Sequence, residues 1–477
     1  GTNQTESLAG NGRDEWIYAY NGFDTIRAAG GDDRAYGGYG NDTIYGGYGN
    51  DQLYGEQDDD ILRGGAGNDE LYGGYGDDNI KGGDGNDRLT GGEGTDLLDG
   101  GNGSDTYFID DERDTINDTG TSGTDIVYFR YLSQKYELGE GIEKVVLPGS
   151  ASTSNLMVMG NSSDNDITSG EGDDTVMAGD GDDTIYTGSG NDNVEAGNGN
   201  DLIIGGDGAG DDSYDGGSGV DTIKYTSATD DIVVDLIKGI AGSKNGGDKA
   251  GIGADILKGI ENIIGGYFND FLVGDNSDNT LDAETGDDVI HGGAGNDVID
   301  GGEGNDTAVY NGNPEDYTIS KDNFSGWLTI TDKTILRDGE DKVQGVESFK
   351  FGKSIYSEEQ IILQDFNNNG LVDGKLVYTL ATKNGAIILT DQNGETYSDA
   401  SSKGWDIVAA TKNGSGYQVL LDGASSYEGK YFIWSTDSSG VIKTGSGWKT
   451  TDQAVASGWE ELFNLTLNRN DSINDIG

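Results

Sequence analysis

Apolar residues recur every nine positions from Ile26 through Ala35, Ile44, Leu53, Leu62, Leu71, Ile80, Leu89 and Leu98 to Tyr107. Two positions before each stands an aspartate: Asp24, Asp33, Asp42, Asp51, Asp60, Asp69, Asp78, Asp87, Asp96 and Asp105, with no slip of register. The stretch Gly46-Gly47-Tyr48-Gly49-Asn50-Asp51-Gln52-Leu53-Tyr54 is a clean copy of the unit. One apolar residue between two outward neighbours predicts a three-residue strand with a single inward side chain. The remaining six residues predict a turn, whose first, second and fourth glycines permit positive φ and close backbone approach.

The period lapses and returns. Residues 128–159 carry Tyr128, Phe129 and the strand-like run Gly141-Ile142-Glu143-Lys144-Val145-Val146-Leu147 instead. Repeats resume at Asn165 and pass through Asp174, Asp183, Asp192 and Asp201; after an insertion near Ala209-Gly210 they reach Asp212 and Asp221. A second interruption, 225–263, holds Ile232-Val233-Val234-Asp235-Leu236 and Gly259-Ile260-Glu261-Asn262-Ile263-Ile264. Asp270, Asn279, Asp288, Asp297 and Asp306 mark a third block. Over 310–364 short runs alternate apolar and polar, as in Trp327-Leu328-Thr329-Ile330-Thr331, which predicts antiparallel strands.

These nonapeptides closely resemble the repeats-in-toxin (RTX) family of calcium-binding β-rolls. The resemblance implies an all-β chain in which two nonapeptides make one coil of a flattened parallel roll, so that turns eighteen residues apart stack. It places calcium between stacked turns, held by turn carbonyls and by the aspartates of both, so Asp42 pairs with Asp60, Asp51 with Asp69, and Asp60 with Asp78. Hard oxygen ligands suit calcium rather than zinc or copper. The expected organisation is a first roll over 1–127 with a worn leading coil, a β spacer over 128–159 and a second roll over 160–224. A spacer over 225–263, a third roll over 264–309, an antiparallel β cap over 310–364 and a small tryptophan-rich β domain over 365–477 follow. The metal set implied is the ten aspartates from Asp24 to Asp105, with Asp174, Asp183, Asp192, Asp201, Asp212, Asp221, Asp270, Asp288, Asp297 and Asp306. Asn165 and Asn279 should weaken the sites they share, and the glycine-poor turns near Asp114 and Asp125 should weaken or end binding. Trp16 is expected to cap the roll.

Charge changes what the pattern requires. The 477 residues carry 88 acidic and 29 basic side chains, a formal net charge of −59, 85 glycines and no cysteine. One inward side chain per nonapeptide buries too little apolar surface to offset the ordering entropy. Stacked carboxylates add repulsion, so the roll should fold only with a divalent cation. Nucleic acid and anionic membranes are poor partners for this charge, no apolar run reaches the ~18 residues of a membrane span, and no disulfide can form.

The last segment differs. Trp405, Trp434, Trp448 and Trp459 fall within 365–477, and Lys430-Tyr431-Phe432-Ile433-Trp434 follows two other strand-like runs. The order resembles a tryptophan-rich C-terminal module of secreted RTX proteins, especially cyanobacterial ones. Asp365, Asn367, Asn369 and Asp373, with Gly370 at position six, match the start of an EF-hand-like loop, although Leu376 stands where its glutamate belongs. Near the end, Asn468-Arg469-Asn470-Asp471 lacks the residues of a second such loop.

Nothing marks an active site. The single histidine, His291, sits at an outward strand position, and His-Glu-x-x-His and Gly-x-Ser-x-Gly are absent. Tyr36, Tyr54 and Tyr72 lie eighteen apart; they read either as packing that stiffens a sheet or as a flat strip for a glycan or a neighbouring subunit. Gln52, Arg63, Lys81 and Arg88 interrupt the threonine or asparagine array an ice-binding face would need. The leading reading is a non-enzymatic calcium-binding structural protein of the cell surface or extracellular matrix, self-assembling or meeting neighbouring surface proteins. The chain opens without a basic-plus-apolar leader, and the resemblance implies type I export. Two alternatives stay open: the C-terminal secretion and folding region of a longer hydrolase, epimerase or toxin, and an adhesin binding a cell-surface glycan through Trp405 or Trp434.

Overall fold

The computed structural model describes residues 1–363 except 112, 130–134, 148–154, 206–207, 209, 323–324 and 335–336. Beyond 363 it describes 379–380, 387–388, 405–423, 430–439, 441–446, 449–450, 453–454 and 456–457. The fold is all-β: a parallel β-solenoid with almost no helix and a small antiparallel region towards the C-terminus. It divides into two compact units, one of residues 1–293 with 302–304 and one of 294–301 with 305–477.

In the first unit, alternate nonapeptides feed two sheets. One holds Ser7–Ala9, Thr25–Gly30, Thr43–Tyr48, Ile61–Ala66, Asn79–Asp84, Leu97–Asn102 and Thr115–Ile116, all parallel. The other holds Trp16–Asn21, Arg34–Tyr39, Gln52–Gln57, Glu70–Tyr75, Arg88–Glu93 and Thr106–Ile109. Register is eighteen residues throughout, Ile44 beside Leu62 and Leu53 beside Leu71. Every expected inward residue from Ile26 to Tyr107 is fully buried. The core is one side chain deep along each sheet.

The strands are longer than the pattern predicts. Thr43–Tyr48 runs six residues, through Gly46 and Gly47, because the turn backbones also bond from coil to coil; the Gly49 N–H donates to the Ala66 carbonyl at 2.9 Å. The glycines divide their roles. Second and fourth positions take positive φ, 120° at Gly47 and 119° at Gly49. In worn repeats Tyr20, Ala29 and Glu56 take the same region at 81–83°, at a cost of about 1–2 kcal/mol each.

The interruption at 128–159 does not separate two rolls. Ile126–Phe129 pairs with Thr106–Ile109, and Lys144–Val146 and Asp166–Thr168 follow in parallel, so the second sheet runs on unbroken. Only the opposite sheet changes: one ends at Thr115–Ile116 and another starts with Lys135–Glu137 and Met157–Met159. The interruption at 225–263 is a meander within that newer sheet. Ile232–Asp235, Ile240–Ser243 and Ala254–Lys258 pair antiparallel, while the outer two pair parallel with Phe271–Val273 and Ser213–Ser218.

In the second unit, Tyr317–Lys321, Leu328–Asp332 and Glu340–Gln344 form the expected antiparallel meander, and Ser348–Phe351 pairs antiparallel with Ser354–Ser357. A short helix, Glu358–Leu363, comes next. Trp405–Asn413, Gly416–Gly423, Lys430–Thr436 and Ile442–Gly445 make a further antiparallel sheet around Val419, Leu421, Tyr431 and Ile433. Asp365, Asn367, Asn369, Asp373, Trp448, Trp459 and 466–473 lie outside the described residues, as does the side chain of Trp405.

Two outward aromatic features behave differently. Tyr18, Tyr36, Tyr54 and Tyr72 stack face to face, with centroids 4.7, 4.7 and 5.0 Å apart and planes within 5°. Trp16 does not fold over an end as expected; it is 62% exposed, with the Arg34 guanidinium 4.8 Å from its ring centroid.

Candidate metal centre

The six-residue turns stack at both edges of the roll, and the repeat aspartates line up inside them. Asp24, Asp42, Asp60, Asp78 and Asp96 form one column and Asp33, Asp51, Asp69, Asp87 and Asp105 the other, every one of them buried. In each, Oδ1 accepts the backbone N–H of the acidic residue one coil earlier, as from Asp51 to Asp69 at 2.8 Å and from Asp42 to Asp60 at 2.7 Å. The pairs expected from the resemblance are therefore brought together. Asp174, Asp183, Asp192, Asp201 and Asp221 continue the arrangement, with Asp183 donating to Asp201 at 2.8 Å. Asp270 donates to Asp288 at 2.6 Å; Asp297 donates to Asp341 at 3.0 Å and Asp306 to Glu347 at 2.9 Å.

The second oxygen is the informative one. In each aspartate of the two first columns, and in Asp174, Asp183, Asp192, Asp201 and Asp221, Oδ2 is buried without a hydrogen-bond partner. A buried carboxylate oxygen left bare is costly, and a repeated row of them makes a candidate cation site. The first-position glycine shows where it would lie. A Cβ placed on Gly37 would sit 2.5 Å from Asp42 Oδ2 and 2.8 Å from the Gly55 carbonyl of the next coil. Both oxygens thus face one small space kept open by the missing side chain, at a scale near the roughly 2.3–2.6 Å of calcium–oxygen contacts.

Electrostatics agrees. Burial first, then neighbouring carboxylates, push the Asp60 and Asp69 carboxyls up to about 8 and Asp87 up to about 7, against the lowering effect of the accepted N–H. Asp42, Asp51 and Asp78 rise to about 6, again mainly by burial. Among the described residues no three acidic or histidine side chains gather as a metal cluster. The acids meet in pairs beside turn carbonyls, hard oxygens that would suit calcium and not a softer metal.

Several members of the columns escape the repeat pattern. Asp114 and Asp125 extend them, accepting from Asp96 at 3.0 Å and Asp105 at 2.6 Å. Glu143 and Glu261 stand in line next, accepting from Asp125 at 2.8 Å and Asp221 at 2.9 Å. Glu6 and Glu15 open the columns, donating to Asp24 and Asp33. The signal available was Gly141-Ile142-Glu143, repeated as Gly259-Ile260-Glu261 and Gly345-Val346-Glu347. Outside the aspartates runs a second ladder with the opposite bond direction: Asn68 N–H to Asn50 Oδ1 and Asn86 N–H to Asn68 Oδ1, each 2.8 Å. His291 is half-buried on its strand and joins no metal group.

The fold is a β-solenoid whose buried aspartate columns form candidate calcium cradles. The family model of the RTX calcium-binding nonapeptide repeat matches residues 9–38, 36–71, 72–107, 159–194, 186–223, 257–286 and 273–308, so the chain carries RTX hemolysin-type repeats. Among solved structures it is similar to a hyperactive, Ca2+-dependent, beta-helical antifreeze protein from an Antarctic bacterium, at 18% identity over 74% of this chain and 94% of that one, with a TM-score of 0.25. No curated protein matches the chain. No helix among the described residues is long and apolar enough to cross a membrane.

Proposed function

We propose that this is an exported, non-enzymatic structural protein of the cell surface or extracellular matrix, folded by the calcium it meets outside the cell. The observation that carries the reading is the pair of buried aspartate columns whose Oδ2 atoms lack any protein partner. Inside a cell such an acidic chain stays extended, since calcium is scarce and the carboxylates repel. Outside, the ion ties each coil to the next and produces a stiff spacer. RTX repeats are typical of secreted proteins, and a cysteine-free chain needs a stabiliser other than disulfides. The tyrosine stack supports a mechanical role over a glycan platform, because both faces of Tyr36 and Tyr54 are covered by neighbouring rings. The test is circular dichroism with electron microscopy of the purified chain. Calcium should convert a disordered spectrum to a β spectrum at pH 8.5 and yield ordered filaments or sheets; a full β spectrum in excess EDTA at that pH, or monodisperse monomers at every calcium level, overturns the reading.

A further inference from the structure

The cradles are not all alike. Where the roll is regular the inner oxygen is bare, but at five positions between Asn165 and Asn279 a protein donor already satisfies it. Asn165 Oδ1 accepts the Asn161 N–H at 3.1 Å, while its Nδ2 donates to the Ile142 carbonyl at 3.1 Å. Asn279 repeats this, accepting from the Asp275 N–H at 2.7 Å and donating to the Glu261 carbonyl at 2.6 Å. The amide thus reverses the usual bond, giving a proton to the preceding coil where an aspartate would accept one. Asp270 Oδ2 accepts the Gly266 N–H at 2.8 Å. Asp212 and Asp255 each accept a buried phenol at 2.8 Å, from Tyr214 and Tyr225.

These positions fall at the two interruptions of the repeat. Asn165 follows Glu143 where one sheet is exchanged for another, and Asn279 follows Glu261 just after the meander. Asp212, Asp255 and Asp270 flank the same meander on the opposite edge. We infer that these five cradles take no calcium and act as metal-independent joints that divide the ion columns into separately loaded blocks. The inference rests on the calcium reading above. An amide offers one neutral oxygen where a carboxylate offers two charged ones. A phenol bonded to the carboxylate occupies the lone pair a cation would use. Each joint is therefore wired before any ion arrives, and cooperativity between neighbouring sites stops there.

Calcium per chain, counted by native mass spectrometry and calorimetry on the full chain, tests this. Asn165→Asp and Asn279→Asp should each bind one more calcium than the parent, and Tyr214→Phe should gain one by baring Asp212. Asp51→Asn should lose at least one. A parent that binds no calcium, or an Asp51→Asn chain with an unchanged count, defeats the calcium reading itself. If the parent and Asp51→Asn behave as expected while the other three add none, the joints alone are overturned. Should an aspartate variant lose its β spectrum in calcium, Tyr214→Phe, which adds no charge, decides.

Discussion

Replacing Gly37 by alanine probes a cradle with one methyl group. Gly37 lacks the positive φ of Gly38 and Gly40, so alanine suits its backbone and should stabilise by about 0.4–1 kcal/mol through the unfolded chain. Space is the opposing term. The methyl would lie 2.5 Å from Asp42 Oδ2 and 2.8 Å from the Gly55 carbonyl, separations real Cβ atoms essentially never show, and overpacking of that kind costs about 1–3 kcal/mol. Filling the space also displaces an ion worth about 2.7 kcal/mol when calcium stands a hundredfold above its Kd. The net expectation is about 3–5 kcal/mol lost, with one calcium fewer per chain. Urea unfolding at fixed free calcium, followed by circular dichroism, gives the first quantity and calorimetry the second. Gly12→Ala is the control: its added Cβ meets nothing within 4 Å, so it should stay within about 0.5 kcal/mol of the parent. A Gly37→Ala chain with the parental calcium count and midpoint would show that the space beside Asp42 holds no ion.

Acidity should partly replace the metal. Burial raises Asp60 and Asp69 to about 8 and Asp87 and Asp192 to about 7 in the folded roll. A raised folded pKa means the stabilisation is complete below the ordinary carboxylate value and fades as pH climbs through 6–8. In EDTA, then, β structure should be greater at pH 5 than at pH 8.5, and the calcium midpoint should rise on acidification below pH 6; equal spectra at both pH values contradict this. Tyr54→Ala removes two stacked contacts, at 4.7 and 5.0 Å, each worth about 0.5–1.5 kcal/mol. Its urea midpoint in calcium should fall while the calcium count holds; a lost ion would tie the stack to the metal sites instead.

Much of the regular roll was legible because each function occupies one phase of nine. The inward Leu53 and Leu71, and the paired Asp51 and Asp69, follow from spacing once two units make a coil. Legibility fails where a contact no longer depends on that phase. Asp105 reaches Asp125 across twenty residues and Asp212 reaches Asp255 across forty-three, because two extra residues lengthen the first coil and a meander is added to the sheet in the second. Glu143 follows no Gly-Gly-x-Gly turn, so in sequence only the recurrence of Gly141-Ile142-Glu143 at Gly259-Ile260-Glu261 and Gly345-Val346-Glu347 marks its place in the column. Asn165 looked like a weakened aspartate, but the change reverses its donor and acceptor. Trp16 read as an end cap because its pairing with Arg34 depends on the neighbouring coil.

A core one residue deep, with each coil touching only those before and after it, has a genetic corollary. Deleting or duplicating eighteen residues within Thr25–Asn102 re-forms the same kinds of neighbour on both sides of the cut. Length is therefore a quantity that recombination adjusts in whole increments, each neutral in kind and additive in stability, without a new fold having to be found.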